Sequence, residues 1–276
     1  MYAHVSATAA PVALVRAAEA SLPAGDRLFE DPFASLFVDA GLDTAVVDRF
    51  LQVPFMRESI RLRTRRLDDV VRAAVADGIA QVVLLGAGFD SRPYRLQGWN
   101  RATVFEVDHP DTQARKRRLV GAAPSRVRYV PVDFDRDRVD AVLDTVGYEH
   151  DRPTLFIWEG VTNYLTESAV DGTLRWCARA APSSRIIFTY VHRGVLDDPA
   201  SFFGTARLFD TLDASSERWT FGLDPAALAP FLAARGLRLD EDLGAEEYRR
   251  RCYGSAAATM RGYEFYRIAC AHVPGR

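Results

Sequence analysis

Residues 82–95 join an apolar segment to a glycine-containing turn and then to the start of a helix. Val82–Leu85 predicts a buried strand, and Gly86 and Gly88 follow it directly. Glycine allows the backbone to turn sharply and lets a ligand approach it closely, while the first turn of the next helix offers free N–H groups. The segment therefore predicts a nucleotide-binding turn in an α/β fold.

Two acidic residues stand at the end of the next apolar segment. Glu106 and Asp108 lie 20 and 22 residues after Gly86. An acidic side chain at this spacing can accept hydrogen bonds from the hydroxyl groups of a ribose. The turn and the acid together predict a ligand of the adenosine type.

The turn also discriminates between adenosine ligands. A dinucleotide fingerprint has a third glycine for close packing beside the pyrophosphate, and this chain has Ser91 there. S-adenosylmethionine carries no phosphate, so it needs only the turn, a ribose acid and polar partners for its methionine end. We therefore expect S-adenosylmethionine as the cofactor and disfavour NAD.

The remaining apolar segments predict a doubly wound, Rossmann-like α/β fold. Apolar runs alternate with helical segments, as in a parallel sheet whose ligands bind at the carboxyl ends of its strands. A final antiparallel pair would complete a sheet of seven strands. The predicted strands are 81–85, 103–107, 127–132, 155–158, 186–191, 237–243 and 263–273.

The chain divides into a cap and a main domain. Residues 1–79 are predicted to form an N-terminal helical cap that includes a helix over 57–76, and residues 80–276 the cofactor-binding domain. Residues of about 196–220 hold four aromatic side chains and are predicted to form an inserted helical lid. These are Phe202, Phe203, Phe209 and Trp219.

Composition favours a cytoplasmic enzyme that binds neither nucleic acid nor membrane. The net charge of the 276 residues is −2, without the basic excess of a nucleic-acid-binding domain. No apolar run approaches the ~20 residues that span a bilayer. The three cysteines form no C-x-x-C pair, so no metal site is expected, and Arg115–Arg118 is read as a solvated helix face. Nothing in the sequence sets the oligomeric state.

Several segments, in order along about 100 residues, resemble the leucine carboxyl methyltransferase family. Its bacterial branch includes polyketide O-methyltransferases of the tetracenomycin type. The matching segments are Arg63–Asp69, Leu85–Leu96, Phe105–Pro110, Val130–Phe134, Trp158–Val161 and Tyr164-Leu165.

The resemblance assigns roles to individual residues. It implies Asp108 as the ribose acid, although spacing alone also allows Glu106. It implies Arg63 as the clamp for the methionine carboxylate, with Arg61 as the near alternative. Asp90 is expected mainly to brace the glycine turn. The resemblance places Asp133 and Phe134 at the adenine and Glu159 at the methionine end. The full cofactor-binding set is Arg63, Gly86, Ala87, Gly88, Asp90, Glu106, Asp108, Asp133, Phe134 and Glu159.

Asp133 has a second interpretation, since it can instead cap the turn that follows it, beside Asp135 and Asp137. Glu159 follows an apolar strand, and a carboxylate in that position is either paired or exposed to a site, because burying it alone is unfavourable.

Methyl transfer is an in-line displacement, to which the protein contributes mainly positioning. A carboxylate acceptor needs no base, whereas a phenol or alcohol gains from one. The candidate catalytic residues are Tyr164, Tyr190 and His192. We favour a hydroxyl acceptor, because Tyr190 and His192 share one face of a strand that ends at the cofactor.

The expected function is O-methylation of a hydroxyl or carboxylate on a small-molecule natural product. Three alternatives remain: a protein C-terminal carboxyl methyltransferase, a non-catalytic nucleotide-binding module, and an NAD-dependent oxidoreductase.

Overall fold

The computed structural model describes residues 9–38, 48, 51–99, 102–133, 136–214 and 218–275. Within them, the chain forms one seven-stranded sheet. The strands are β1 (Gln81–Leu85), β2 (Thr103–Asp108), β3 (Val127–Pro131), β4 (Thr154–Trp158), β5 (Arg185–Val191), β6 (Arg238–Leu243) and β7 (Tyr266–His272).

The order of the strands is β3-β2-β1-β4-β5-β7-β6. β1 pairs in parallel with both β2 and β4, and β7 lies antiparallel to β5 and β6. After β1, the chain adds β2 and β3 on one side of β1 and then crosses to add β4 and β5 on the other side. This reversal of strand order between β1 and β4 is where a doubly wound sheet forms a crevice for a ligand.

Both faces of the sheet are covered. Val83 and Leu85 of β1 belong to one hydrophobic cluster, while Val82 and Leu84 belong to the cluster on the opposite face. Successive strand residues point to opposite faces, so a strand covered on both faces is buried at every position and is mostly apolar. β1 and β4 are buried at every position, and each has one polar residue at its start, Gln81 and Thr154 respectively.

Helices fill the connections between the strands. The Met56–Ala76 helix ends at Asp77 and at Gly78, whose φ is +92°. The other α-helices of the described ranges are Ala9–Glu19, Ala34–Val38, Arg92–Arg95, Pro110–Val120, Val139–Thr145, Glu167–Cys177, Gly194–Asp197, Thr205–Ala214, Pro225–Ala233 and Ala245–Tyr253.

A third hydrophobic cluster joins the N-terminal helices, the ends of two strands and the described part of residues 196–220, which is here called the insertion. It includes Val15 and Ile60 from the N-terminal region, Leu208 and Leu212 from the insertion, and Val191 at the end of β5. The cluster holds the Thr205–Ala214 helix over the carboxyl end of the sheet. The insertion is therefore positioned beside the crevice that the strand order creates.

The predicted fold class is confirmed, including the final antiparallel pair of strands. The boundary at residue 79 stays a prediction. Leu67 and Val71 of the Met56–Ala76 helix share a cluster with Val82 of β1, so part of this helix also covers the sheet. Across the described ranges, no helix has the length and apolar content required to cross a membrane.

Candidate functional site

A cavity of about 490 Å³ lies at the carboxyl ends of β1, β2 and β4 and is here called the rim cavity. Its volume falls in the range of roughly 300–1,000 Å³ typical of small-molecule sites. Its walls include Ala9, Val12, Arg16, Arg63, Gly86, Ala87, Gly88, Phe89, Asp90, Asp108, His109, Thr112, Glu159, Gly160, Val161 and Tyr164.

The glycine turn forms the floor of this cavity. Gly86 has a φ of +69°, and a Cβ added to it would lie 2.7 Å from Cγ2 of Val161. The N–H groups of Gly86 and Ala87 both donate to the carbonyl oxygen of Val107, at 2.9 and 3.0 Å. The backbone conformation and the close approach of Val161 therefore both require glycine at position 86.

Asp108 ends β2 and lines the rim cavity. One carboxylate oxygen accepts from the N–H of His109 at 2.6 Å, and the other accepts from the N–H of Gly88. Burial raises the pKa of Asp108, although both N–H groups act to lower it. A ribose would add further donors to a carboxylate that is only partly stabilised, which suits the role expected for this residue.

Glu106 is placed elsewhere, and the structure corrects the alternative that made it the ribose acid. Its side chain is 1% exposed and forms an ion pair with Lys116 at 2.9 Å. Burial raises the pKa of Glu106, while the Lys116 ammonium group lowers it. The interpretation of Arg115–Arg118 as a solvated face was also wrong for Lys116, which is 1% exposed. In the described chain, Glu106 does not line the rim cavity.

Glu159 follows β4 and is held by two arginines. Its carboxylate accepts from Nε of Arg63 and from Nη1 of Arg92, both at 2.7 Å. Burial alone would raise the pKa of Glu159, but the charges of Arg92 and Arg63 lower it to about 2. Glu159 is therefore ionised and paired, as expected for a buried carboxylate.

The structure also distinguishes Arg63 from Arg61, the near alternative for contact with the methionine carboxylate. Arg63 lines the rim cavity, whereas Nε of Arg61 donates to Glu19 at 2.6 Å and its Nη1 to Glu58 at 3.1 Å. Arg61 therefore ties the N-terminal helix to the Met56–Ala76 helix.

Two arginines were missed by sequence reasoning. Arg92, 1% exposed, donates to Asp68, Asp90 and Glu159 at 2.7–2.9 Å. Arg16 lines the rim cavity, and its Nη2 donates to the carbonyl oxygen of Phe89 at 2.7 Å. A signal existed for Arg16, because it is the one cation among the small and apolar residues of 12–18.

Asp90 braces the turn as expected, since its carboxylate accepts from the N–H and from Nη1 of Arg92 at 2.8 and 2.7 Å. Ser91 is fully buried and donates to Asp31 at 2.6 Å. The position at which a dinucleotide fingerprint has its third glycine is therefore occupied here by a buried serine with a hydrogen-bond partner.

Asp133, one of the two residues expected at the adenine, does not line the rim cavity. Asp133 follows β3, and its backbone N–H donates to Asp137 at 2.8 Å. Its carbonyl oxygen accepts from Arg136 and Asp137. In this turn the carboxylate that accepts from the backbone is therefore that of Asp137. Phe134 lies outside the described residues.

A second, smaller cavity of about 70 Å³ adjoins the first and is here called the side cavity. The two share Val12, Arg63, Gly160 and Tyr164. The other walls of the side cavity are Met56, Ser59, Ile60, Asn163, Leu208, Leu212, Trp219, Tyr263 and Tyr266. Tyr164 is therefore the one candidate catalytic residue that the structure brings to both cavities.

Tyr190 and His192 do not line either cavity in the described chain. The Tyr190 hydroxyl donates to Asp242 at 2.9 Å and accepts from Nε of Arg267 at 3.1 Å, which ties β5 to β6 and β7. Nδ1 of His192 accepts from the N–H of Gly194 at 2.9 Å, and its ring packs on Phe202. The expectation that both residues face the cofactor rim is not met.

Comparisons with known proteins agree with this geometry. The family model described as leucine carboxyl methyltransferase matches residues 9–178. A Streptomyces coelicolor protein assigned as an S-adenosyl-L-methionine-dependent methyltransferase is 40% identical over 211 residues, which cover 70% of this chain and 71% of that protein. A Mycobacterium avium protein with the same assignment is 34% identical over 93% of this chain and 89% of its own length.

A crystal structure from Thermobifida fusca, of a protein assigned as a methyltransferase, shares the fold. Its TM-score is 0.66 at 16% identity, and the match covers 97% of this chain and 94% of that one. With the matched family model and the geometry of the rim cavity, these findings show that the chain belongs to the leucine carboxyl methyltransferase family, a family of S-adenosylmethionine-dependent methyltransferases.

Proposed function

We propose that this methyltransferase transfers the methyl group to an oxygen atom of a small molecule. The observation that carries the proposal is the side cavity, which opens from the rim cavity at Gly160 and Tyr164 and has mainly apolar walls. A methyl acceptor bound there would lie next to the methionine end of the cofactor.

The residues of the rim cavity fit S-adenosylmethionine in three respects. Asp108 offers a carboxylate to the ribose, and the glycine turn admits a ligand against the backbone. Arg63 and Arg16 bring guanidinium groups to the same cavity, where they can meet the methionine carboxylate. We keep Asp133 and Phe134 as the proposed adenine contacts.

When bound, the cofactor supplies an activated methyl group on a positively charged sulfur. The protein's part is to orient the acceptor oxygen toward that methyl group and to exclude water. Glu159, ionised between two arginines, keeps Arg63 in place at the boundary of the two cavities. Tyr164 lies at the same boundary and is the proposed residue for contact with the acceptor oxygen.

The alternative, methylation of a protein C-terminal carboxylate, is favoured by the family description alone. Against it stands the small volume of the side cavity, about 70 Å³, and its closure by Leu208, Leu212 and Trp219 of the insertion. A non-catalytic binding module would have no use for a cavity beside the methionine end.

Calorimetry tests the cofactor assignment. We expect S-adenosylhomocysteine to bind, and NAD and ATP to bind far more weakly. Arg63→Met should weaken S-adenosylhomocysteine and leave adenosine unchanged, because the guanidinium would meet only the methionine carboxylate. Tighter binding of NAD than of S-adenosylhomocysteine would overturn the assignment.

Transfer of radiolabelled methyl groups tests the acceptor. The wild-type protein is incubated with panels of phenols, alcohols and carboxylic acids, and in parallel with peptides that end in a free leucine carboxylate. The product is then treated with base, which cleaves a methyl ester and spares an ether. Labelling of peptides alone would replace the small-molecule proposal with the alternative.

A further inference from the structure

Three residues that line the side cavity carry buried polar atoms without a hydrogen-bond partner in the described structure. These atoms are Oδ1 of Asn163, Nε1 of Trp219 and the hydroxyl group of Tyr263. Asn163 is 1% exposed and Tyr263 is 2% exposed. The great majority of buried polar side-chain atoms in proteins are hydrogen-bonded, so three unpaired atoms around one small cavity require an explanation.

The surrounding packing holds these groups in place. The ring of Tyr263 stacks on Phe265 with centroids 5.0 Å apart. Gly204 of the insertion closes over Tyr263, because a Cβ at Gly204 would lie 2.9 Å from the tyrosine ring. The ring of Trp219 packs edge-on against Phe209 and lies 6.0 Å from Phe265. Two of the three polar groups therefore sit on rings fixed by other aromatic residues.

Asn163 is fixed through its backbone. Its carbonyl oxygen accepts from the N–H of Thr220 at 2.7 Å and from that of Phe221 at 3.3 Å. These bonds connect the end of the insertion to the turn after β4. Trp219 directly precedes Thr220 in the chain. These backbone hydrogen bonds therefore hold the segments that carry Asn163 and Trp219 together.

The three groups differ in hydrogen-bonding capacity. The indole N–H only donates, the amide oxygen only accepts, and the tyrosine hydroxyl does both. Burial raises the pKa of Tyr263, so its hydroxyl stays protonated at neutral pH. The set offers an incoming molecule two neutral donors and an acceptor.

Charge separates the acceptor classes. Among the described residues lining the side cavity, Arg63 is the one permanent cation, and it is paired with Glu159. A carboxylate acceptor would have to be desolvated beside an amide oxygen that repels it. A neutral hydroxylated molecule would satisfy all three polar groups without any new charge pairing.

We infer that Asn163, Trp219 and Tyr263 recognise an uncharged, hydroxylated acceptor molecule whose buried polar end is small. The inference rests on the proposed small-molecule function and deepens it by naming the acceptor class. The size limit follows from the cavity volume of about 70 Å³, which is the space of about two water molecules.

Binding and turnover of a matched pair of probes test the inference. 4-Hydroxyacetophenone and 4-hydroxybenzoate have the same ring and phenol, but only the second is an anion. Each is titrated by calorimetry into protein saturated with S-adenosylhomocysteine, and each is assayed with radiolabelled S-adenosylmethionine together with a panel of smaller neutral phenols and alcohols. We expect neutral compounds to bind and react, and their carboxylate counterparts to bind at least about tenfold more weakly.

Variants then assign the contacts. Tyr263→Phe and Trp219→Phe should each weaken binding of a reactive neutral probe by about 5- to 10-fold, the scale of one hydrogen bond, with S-adenosylhomocysteine affinity unchanged. Tyr148→Phe and Trp176→Phe are the matched controls, because both residues pack in the cluster on one face of the sheet, away from both cavities. These controls should leave probe binding unchanged.

Three results would overturn the inference. They are preference for carboxylates, failure of every neutral compound to bind or react, and equal effects of the variants and their controls. If S-adenosylhomocysteine still binds in those cases, the methyltransferase assignment stands and only the acceptor class fails. Loss of S-adenosylhomocysteine binding in the wild-type protein would instead contradict the proposed function itself.

Discussion

At the rim cavity the buried carboxylate of Glu159 is paired with Arg63 and Arg92, whereas Asn163, Trp219 and Tyr263 of the side cavity carry buried polar atoms that have no partner within the described chain. The first set lies on strand ends and on the helices packed against them. The second set connects the insertion to the turn after β4 and to the segment before β7.

This difference separates two tasks of the site. Glu159, Arg92 and Arg63 hold one another in a fixed arrangement, so that part of the site is ordered by the fold alone. Groups without protein partners are free to form hydrogen bonds with a molecule bound in the side cavity, so they contribute to recognition more than to folding. Replacing residues of the two sets should therefore have opposite effects on stability and on binding.

The largest expected effect is on protein stability and comes from replacing a residue of the paired set, Glu159, Arg92 and Arg63. Arg92→Met removes the cation that contacts Asp68, Asp90 and Glu159, and leaves buried carboxylates uncompensated. We expect the free energy of unfolding in urea to fall by about 3–5 kcal/mol. Arg152→Met is the control, since Arg152 pairs with Glu149 at the surface and should change stability by at most about 1 kcal/mol. Equal losses would remove the distinction between the buried network and a surface ion pair.

The second prediction concerns pH. The pKa of Glu159 is lowered from 4.5 to about 2, so the folded protein binds this proton more weakly than the unfolded chain does. Ionised Glu159 therefore stabilises the fold above about pH 4.5, and this contribution is lost as the pH falls toward 2. We expect Glu159→Gln to be less stable than wild type at neutral pH, by up to about 3 kcal/mol, and the difference to shrink in acid. A difference independent of pH would contradict the proposed pairing.

The third prediction separates the two acids that spacing alone allowed for the ribose. Asp108→Asn should weaken S-adenosylhomocysteine binding by about 1–3 kcal/mol, because the carboxylate lines the rim cavity. Glu106→Gln should instead lower stability, since it leaves the buried Lys116 ammonium group unpaired, and the folded variant should keep its affinity. Calorimetry and urea unfolding on both variants measure the two effects. The opposite pattern would return the ribose role to Glu106.

The smallest expected effect on stability comes from replacing a residue of the unpaired set, Asn163, Trp219 and Tyr263. Tyr263→Phe removes a hydroxyl group without a partner, so the free energy of unfolding should stay nearly unchanged. Tyr148→Phe removes a hydroxyl that pairs with Thr154 at 3.0 Å and should lower stability by about 1 kcal/mol. If Tyr263→Phe is the more destabilising of the two, its hydroxyl has a structural role and the comparison between the cavities fails.

The sequence predicted the parts of the site that are local in the chain. Gly86, Gly88 and Asp108 stand at strand ends, and strand ends can be located from apolar runs and turn residues. Asp90 braces the turn through Arg92, two residues away. Arg63 came from a family motif, and the structure places it beside Glu159, 96 residues further along the chain.

The predictions that the structure corrects concern where side chains point after packing. Tyr190 and His192 were expected to share one face at the end of β5, but the neighbours on β6 and β7 and in the insertion decide what each ring contacts. Glu106 and Lys116 are ten residues apart, and nothing in their spacing distinguishes a buried pair from two surface charges.

By itself, the sequence determined the seven-stranded α/β fold, the glycine turn and the acid at the end of β2, because periodicity and turn chemistry act over short stretches of chain. Only the tertiary structure decided which charges are paired beneath the rim cavity and which polar atoms surround the side cavity without a partner. Burial and partner choice depend on residues from distant segments, and their energies are set by the packed environment.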